Sequence, residues 1–373
     1  LTPPPLPDIA PAIVRWQAAH GRRHLPWQHT RDPYRVWLSE IMLQQTQVAT
    51  VVKYWQRFMA AYADVQSLAA APQDAVLALW SGLGYYTRAR NLHRCAREIV
   101  EHWGGQFPRR ATDLATLPGI GRSTAAAIAA FCYAERVPIL DANVRRVLCR
   151  VLAFGADPGR AAHQRQLWHW AEQLCPQSNL AQTMPAYTQG LMDLGASVCL
   201  PRVPHCTRCP VQAHCRARRA GNPQDYPVRA RKPPRGTHTW WLLLAVAGHG
   251  AQTRVWLERR SAPGIWAGLY APPIFDTRAA LQSAATQCRA APGPDNSASG
   301  GAPPPWRELP PFTHPLTHCD LHLHPVLLPV HGATPETPNI GHWASVADWP
   351  ALGLPAPVRK LLDGIQEGAF RAA

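Results

Sequence analysis

Residues 117–131 read LPGIGRSTAAAIAAF, a tight Gly-Ile-Gly turn that opens directly into a small-residue helix starting near Ser123. Gly119 and Gly121 let the backbone approach a ligand closely. The N–H groups of such a turn and helix start point outward, where together they can hold one phosphate. Two readings fit: a helix-hairpin-helix clamp on a DNA backbone, or an ordinary joint between helices. Twenty residues beyond Gly121, the stretch ILDANVRRVL (139–148) puts Asp141 at the start of the next helix. There it serves as an N-cap for the following turn. A capped carboxylate stays ionised and fixed in place, so a catalytic role is compatible with the capping one.

Working outward, the helical period holds from about residue 9 to 216. Val144, Val147, Leu148 and Val151, at i, i+3, i+4 and i+7, are one example. This region is expected to be all-α. At its end CLPRVPHCTRCPVQAHC sets Cys199, Cys206, Cys209 and Cys215 in the pattern C-x6-C-x2-C-x5-C. So close a set of thiolates points to a metal. The spacing suits a [4Fe-4S] cluster, which takes four thiolates from one short loop. The rival is zinc, which favours two separated C-x2-C pairs, and only Cys206 and Cys209 are so paired.

The chain of 373 residues is 46% apolar and carries a net charge of +15, which favours a polyanionic partner, nucleic acid first. Cys95, Cys132, Cys149, Cys175, Cys288 and Cys319 are scattered singly, as free thiols in a reducing compartment would be. No run of about 18 apolar residues appears, and the N-terminus LTPPPLPDIAPAIV lacks a signal-peptide pattern. A soluble, cytoplasmic, monomeric protein without membrane contact is expected.

Residues 217–237 mix arginines with prolines and read as a basic linker. From 238 to 373 the texture changes to short alternating runs, TWWLLLAV, RVWLE and LHLHPVLLPV, which read as strands, with helices near 276–288 and 357–367. The Pro, Gly and Ser-rich stretch 290–305 reads as disordered.

The order of hairpin, aspartate and cysteine loop resembles the helix-hairpin-helix Gly/Pro-Asp superfamily of DNA base-excision glycosylases, in its cluster-bearing branch. One further segment, WLSEIMLQQTQVATV (37–51), is similar to the signature of the adenine DNA glycosylase (MutY) family. LPWQ (25–28), WSGLGYYTRARNL (80–92) and QGLMDLGASVC (189–199) agree with it. Past the linker, APGIWAGLYAPP (262–273), FTHPLTHCDLHL (312–323) and GLPAPVRKLL (353–362) resemble the same family's Nudix-like C-terminal domain. The expected architecture is therefore a multi-domain chain. An all-α glycosylase region would occupy 9–216, with a six-helix hairpin module at about 30–138 and a cluster module made of the N-terminal helix and 139–216. An α+β Nudix-like domain would follow at 238–373. A Nudix hydrolase needs a glutamate-rich helix for magnesium, whereas DTRAALQSAATQCRA (276–290) contains no glutamate. This domain is thus expected to recognise rather than hydrolyse.

The resemblance implies roles for single residues. Glu40, among Ile41, Met42 and Leu43, would be kept protonated by its apolar surroundings and would protonate the leaving adenine. Asp141 would stabilise the oxocarbenium-like sugar, with Asn143 orienting it; Ala142 replaces the family's usual glycine. Ser123 stands where bifunctional relatives carry a lysine, so base removal without a lyase step is expected. Gln45 and Tyr85 would wedge into the duplex, with Thr46 and Leu83 beside 8-oxoguanine. Arg23, Trp27 and Gln189 would line the adenine pocket, Gly119 and Gly121 would hold a phosphate, and Thr317 and His318 would inspect the 8-oxoguanine. His318, His322 and His324 share a face by strand alternation, and a metal there is the minor reading. The partner implied is duplex DNA containing A opposite 8-oxoguanine or guanine. Three rivals stand beside this reading: a glycosylase for oxidised pyrimidines akin to endonuclease III, a noncatalytic DNA-binding protein, and a nucleotide pyrophosphohydrolase.

Overall fold

A computed structural model describes residues 5–228, 234–290, 306–330 and 341–367. By packing, the chain forms two compact units, one of residues 1–70 with 91–232 and the other of 71–90 with 233–373.

The first unit is helical. It contains α1 (Ala10–His20), α2 (Pro33–Leu43), α3 (Val48–Ala61) and α4 (Val65–Ala70), while α5 (Gln73–Leu79) and the first residues of α6 (Thr87–Trp103) group with the second unit. It continues with α7 (Ala111–Leu114), α8 (Arg122–Tyr133), α9 (Ala142–Val151), α10 (Ala161–Gln173), α11 (Leu180–Ser197) and α12 (Arg216–Arg219). The start of α2 has a local cause. Asp32 caps α2 by accepting from the Tyr34 N–H at 2.9 Å, and Pro33 sits at the first helical position, where its missing N–H costs nothing. Helix α8 is almost wholly small and buried, Ala125 to Ala130 inclusive, which lets α2 and α11 pack closely on it. One apolar core joins Ile13 of α1, Val144, Val147 and Leu148 of α9, and Tyr187, Leu191 and Leu194 of α11.

The residues 217–228, which composition assigns to the linker, are instead folded. Ala217 of α12 is fully buried, Pro223 is buried, and the Tyr226 carbonyl accepts from Arg150 Nε at 3.0 Å. Helix α12 packs on α9, with Arg219 exposed and Arg218 lining the cysteine cavity, an arrangement that composition alone averages away.

The second unit is a mixed sheet of β1 (Gly236–Ala247), β2 (Arg254–Arg259), β3 (Tyr270–Ala271), β4 (Ile274–Phe275), β5 (Arg307–Glu308), β6 (Phe312–Pro315), β7 (Cys319–Pro329) and β8 (Gly341–Ser345). The main path runs β3-β2-β1-β7-β5, with β4 on β1, β6 on β7 and β8 on β2. Only the β1–β7 pair is parallel among these, from Gly236 opposite Cys319 to Val246 opposite Pro329. Alternation along β1 sends Leu242 and Leu244 into a core shared with Leu361 of α14 (Ala356–Gln366). Leu243 goes to the opposite face, with Leu281 and Ala285 of α13 (Arg278–Ala290). The sheet is thus covered on both faces. Residues 71–90 join this unit through specific bonds: the Tyr86 hydroxyl donates to the Leu354 carbonyl at 2.7 Å, and the Tyr270 hydroxyl to Asp74 at 3.3 Å. Of the stretch 290–305, expected to be disordered, Ala290 ends α13 and residues 291–305 lie outside the described residues.

Candidate active site

Glu40, Asp141, Ser123 and Asn143 face one cleft of about 1100 Å³ in the helical unit, large enough to admit an extruded nucleotide. Glu40 sits in the last turns of α2, with Val36, Trp37, Ile41 and Met42 buried around it. Burial, with the nearby Asp141 charge adding to it, pushes its pKa up to about 8. Burial also raises Asp141, yet four groups favour its charged form. The Val144 N–H donates to Oδ1 at 2.7 Å, the Asn143 N–H also donates, and Arg146 and Arg145 lie near. Burial thus pushes both carboxyl groups of the cleft upward, and at Asp141 backbone donors and arginines oppose the rise.

Asn143 acts on Asp141 through its backbone N–H. Its side chain is engaged elsewhere, Oδ1 accepting from Arg146 Nη2 at 2.9 Å. The same guanidinium reaches the Gly195 carbonyl at 2.7 Å and the Cys199 carbonyl at 2.8 Å, so one buried arginine spans from the carboxylate turn to the cysteine loop. Gly195 is required there: a Cβ on it would stand 2.7 Å from Asn143 Cβ. Ser123 Oγ accepts from the Leu140 N–H at 3.1 Å. In the hairpin turn Gly119 has φ +77° and a Cβ on it would come within 2.7 Å of Asn91 Cβ, so both conformation and space demand glycine. Gly121 caps α8 with open space before it.

Of the pocket residues, Trp27 is buried with its ring 6.0 Å from Trp55, and Gln189 projects from α11 into the cleft. Arg23 lines the same cleft but is exposed, and its guanidinium donates to the Ala18 carbonyl. Two neighbours missed by sequence reading are better placed. Gln28 leaves both of its amide atoms buried with no hydrogen-bond partner among the described residues, and it lines the cleft. Arg22 is held by the buried Asp193. Gln28 stands in the quoted LPWQ, so an amide next to a buried tryptophan was the available signal; nothing in the sequence singled out Arg22 over Arg23.

Gln45 and Thr46 lie at the cleft where α2 ends, Gln45 exposed with φ +57°, a strained conformation for a residue with a side chain. In the second unit, Tyr85 has φ +50° and is 45% exposed, while Leu83 is buried. Gly82 and Gly84, at φ +100° and +70°, make that turn possible, and Arg88 braces it by donating to the Leu83 carbonyl at 3.3 Å and the Gly84 carbonyl at 3.2 Å. Thr317 and His318 are exposed at the tip joining β6 to β7, and the Thr317 hydroxyl is in hydrogen-bond contact with that of Tyr85. His322 pairs with Thr313 at 3.0 Å and His324 stacks on Trp241 at 4.4 Å between ring centres. Both of these strand histidines therefore have side-chain partners within the sheet.

Cys199, Cys206, Cys209 and Cys215 line one small cavity with Val147, Val151, Leu194 and Val211. Burial first, and then the other three sulfurs, pushes the Cys209 thiol up to about 12. Arg150, 1% exposed, holds the loop through the Leu200 carbonyl at 2.7 Å and the Pro201 carbonyl at 2.9 Å, and lies 3.3 Å from Cys199 Sγ. Among the described residues no three His, Cys, Asp or Glu groups are placed to hold a single metal ion. Nor is any described helix long and apolar enough to cross a membrane.

The profile of the HhH-GPD superfamily base excision DNA repair proteins matches residues 38–173, a span that takes in Glu40, the hairpin and Asp141, and that of the NUDIX domain matches 244–364. The chain is a helix-hairpin-helix DNA glycosylase carrying a Nudix-like domain. Over 354 residues it is 32% identical to the adenine DNA glycosylase of Buchnera aphidicola subsp. Schizaphis graminum, covering 94% of this chain and 96% of that protein. It belongs to the adenine DNA glycosylase family, whose enzymes remove adenine in base excision repair. The human adenine DNA glycosylase is 46% identical over 206 residues, 53% of this chain and 37% of that protein. Among solved structures, a thermostable thymine-DNA glycosylase superposes with a TM-score of 0.51 at 29% identity, covering 57% of this chain and 95% of that one.

Proposed function

We propose that the substrate is adenine paired with 8-oxoguanine, or with guanine, in duplex DNA, and that it is released by hydrolysis without strand cleavage. The observation that carries this reading is the pair of unlike carboxyl groups, Glu40 raised to about 8 beside a donor-rich Asp141, in one cleft. Adenine is a poor leaving group. Glu40 is the acid that protonates its N7 as the glycosidic bond breaks, and ionised Asp141 stabilises the positive charge that develops on the sugar. The base must leave the stack to reach them. Trp27, Gln28 and Gln189 meet it in the pocket, and Gln45 with Tyr85 takes the vacated space. Thr46 and Leu83 contact the opposite base, and Thr317 with His318 reads its lesion edge; the Tyr85–Thr317 contact supports a joint role for these two. Gly119 and Gly121 seat a phosphate at the start of α8.

The four cysteines line one shared cavity, which supports the [4Fe-4S] cluster that their spacing in one short loop suits. When bound, the cluster supplies a rigid cross-link for the loop that carries Arg202 and Arg208. Arg150 and Arg146 hold that loop to α9 from the protein side. The enzyme acts as a monomer in the cytoplasm. Single-turnover assays on duplexes with A opposite 8-oxoguanine, A opposite G, and thymine glycol opposite A test the reading. Fastest excision from the first is expected; preferred release of thymine glycol would replace it with a pyrimidine-specific reading.

A further inference from the structure

Asp193 is 1% exposed and lies outside the cleft, yet it touches two residues that form the cleft wall. Its Oδ1 accepts from Arg22 Nε at 2.7 Å and from Gln189 Nε2 at 3.0 Å, and its Oδ2 accepts from the Arg22 backbone N–H at 3.0 Å. Gln189 and Asp193 are one turn apart on α11. The Arg22 guanidinium offsets the cost of burying the carboxylate.

An ionised carboxylate can only accept hydrogen bonds, so it fixes which end of the Gln189 amide it meets. The NH2 group must turn toward Asp193, and the carbonyl oxygen is left as the end free for the cleft. We propose that Asp193 is a positioning residue for base selection, holding Gln189 so that the pocket offers an acceptor to the exocyclic amino group of adenine and disfavours a purine with a keto oxygen there. The inference rests on the proposed placement of Gln189 in the adenine pocket. A base with a 6-keto group would set oxygen against oxygen, and a pocket able to flip its amide would lose that distinction.

The test compares single-turnover excision of adenine and of hypoxanthine, its 6-keto analogue, opposite both 8-oxoguanine and guanine. Asp193→Asn keeps the shape but can present either a donor or an acceptor to Gln189. The adenine to hypoxanthine rate ratio is expected to fall by about tenfold, the scale of one readout hydrogen bond. In a Gln189→Leu background the same substitution should leave the ratio unchanged. Equal slowing on both bases, or the same loss of ratio in both backgrounds, would overturn the proposal and leave Asp193 a structural tie between α11 and Arg22. Should Asp193→Asn fail to fold, Gln189→Leu alone decides: an unaltered ratio in it removes the residue through which Asp193 is argued to act. A wild type that releases thymine glycol faster than adenine opposite either partner would sink the proposed substrate instead, with the adenine to hypoxanthine ratio still judging Asp193.

Discussion

The Ser123 hydroxyl accepts the backbone N–H of Leu140 at 3.1 Å, tying the first turn of the hairpin helix to the residue just ahead of Asp141. We propose that a serine bracing the carboxylate turn, with no amine to form a Schiff base, makes base removal monofunctional. Borohydride should therefore trap little enzyme on substrate DNA, with strands breaking only after alkali or heat. Ser123→Lys should gain trapping while slowing base release, since it removes the brace. Strong trapping by the unmodified protein would contradict the monofunctional reading.

Glu40→Gln keeps the side-chain volume and removes the transferable proton. Excision should slow by ~10²–10⁴, the usual contribution of a general acid, with affinity for the mispaired duplex little changed. Wild-type rates in this variant would remove Glu40 from the chemistry.

The pH profile should follow the same pair. Burial raises Glu40 to about 8, so the acid is protonated below that pH and lost above it, and single-turnover rates at saturating enzyme should fall as pH rises through about 8. Asp141 must be ionised, so the acid limb marks its protonation, displaced upward from the ordinary aspartate range by burial. Glu40→Gln should erase the alkaline limb only. An alkaline limb that survives in that variant would assign it to another group.

Cluster loading has an optical test. Purified enzyme should be yellow-brown with a broad visible band, and Cys206→Ser should lose much of that band together with DNA affinity, because the basic loop loses its anchor. A colourless, fully active enzyme with one bound zinc would point to the alternative metal.

The proposed reading places recognition of the opposite base at the turn between β6 and β7. His318→Ala and Thr317→Val should each lower the preference for 8-oxoguanine over guanine by about 1–3 kcal/mol while leaving excision opposite guanine nearly intact. An unchanged preference in both would place the discrimination with Gln45, Thr46, Leu83 and Tyr85 alone.

Much of the site was legible because its parts are short and local. A Gly-Ile-Gly turn, a capping aspartate and four closely spaced cysteines each announce themselves by spacing, and alternation in TWWLLLAV and LHLHPVLLPV marks β1 and β7 without tertiary information. What depends on two distant segments was not legible. Composition labels 217–228 part of a basic linker, whereas burial of Ala217 and Pro223 makes it part of the helical unit. Position in the chain assigns Tyr85 to the helical half, whereas residues 71–90 pack with the sheet and bring Tyr85 to Thr317.

The sequence by itself determined the two-part architecture and the residue types at the reaction centre, because periodicity and turn chemistry are properties of neighbours along the chain. Only the tertiary structure decided their electrostatic state. Burial lifts Glu40 with no donor to oppose it, whereas Val144, Asn143, Arg145 and Arg146 all counter the rise at Asp141, and which groups reach each carboxyl is set by the fold. The choice of Arg22 over Arg23 for the partnership with Asp193 has the same origin, since desolvation and hydrogen bonding are set by the full surroundings of a group.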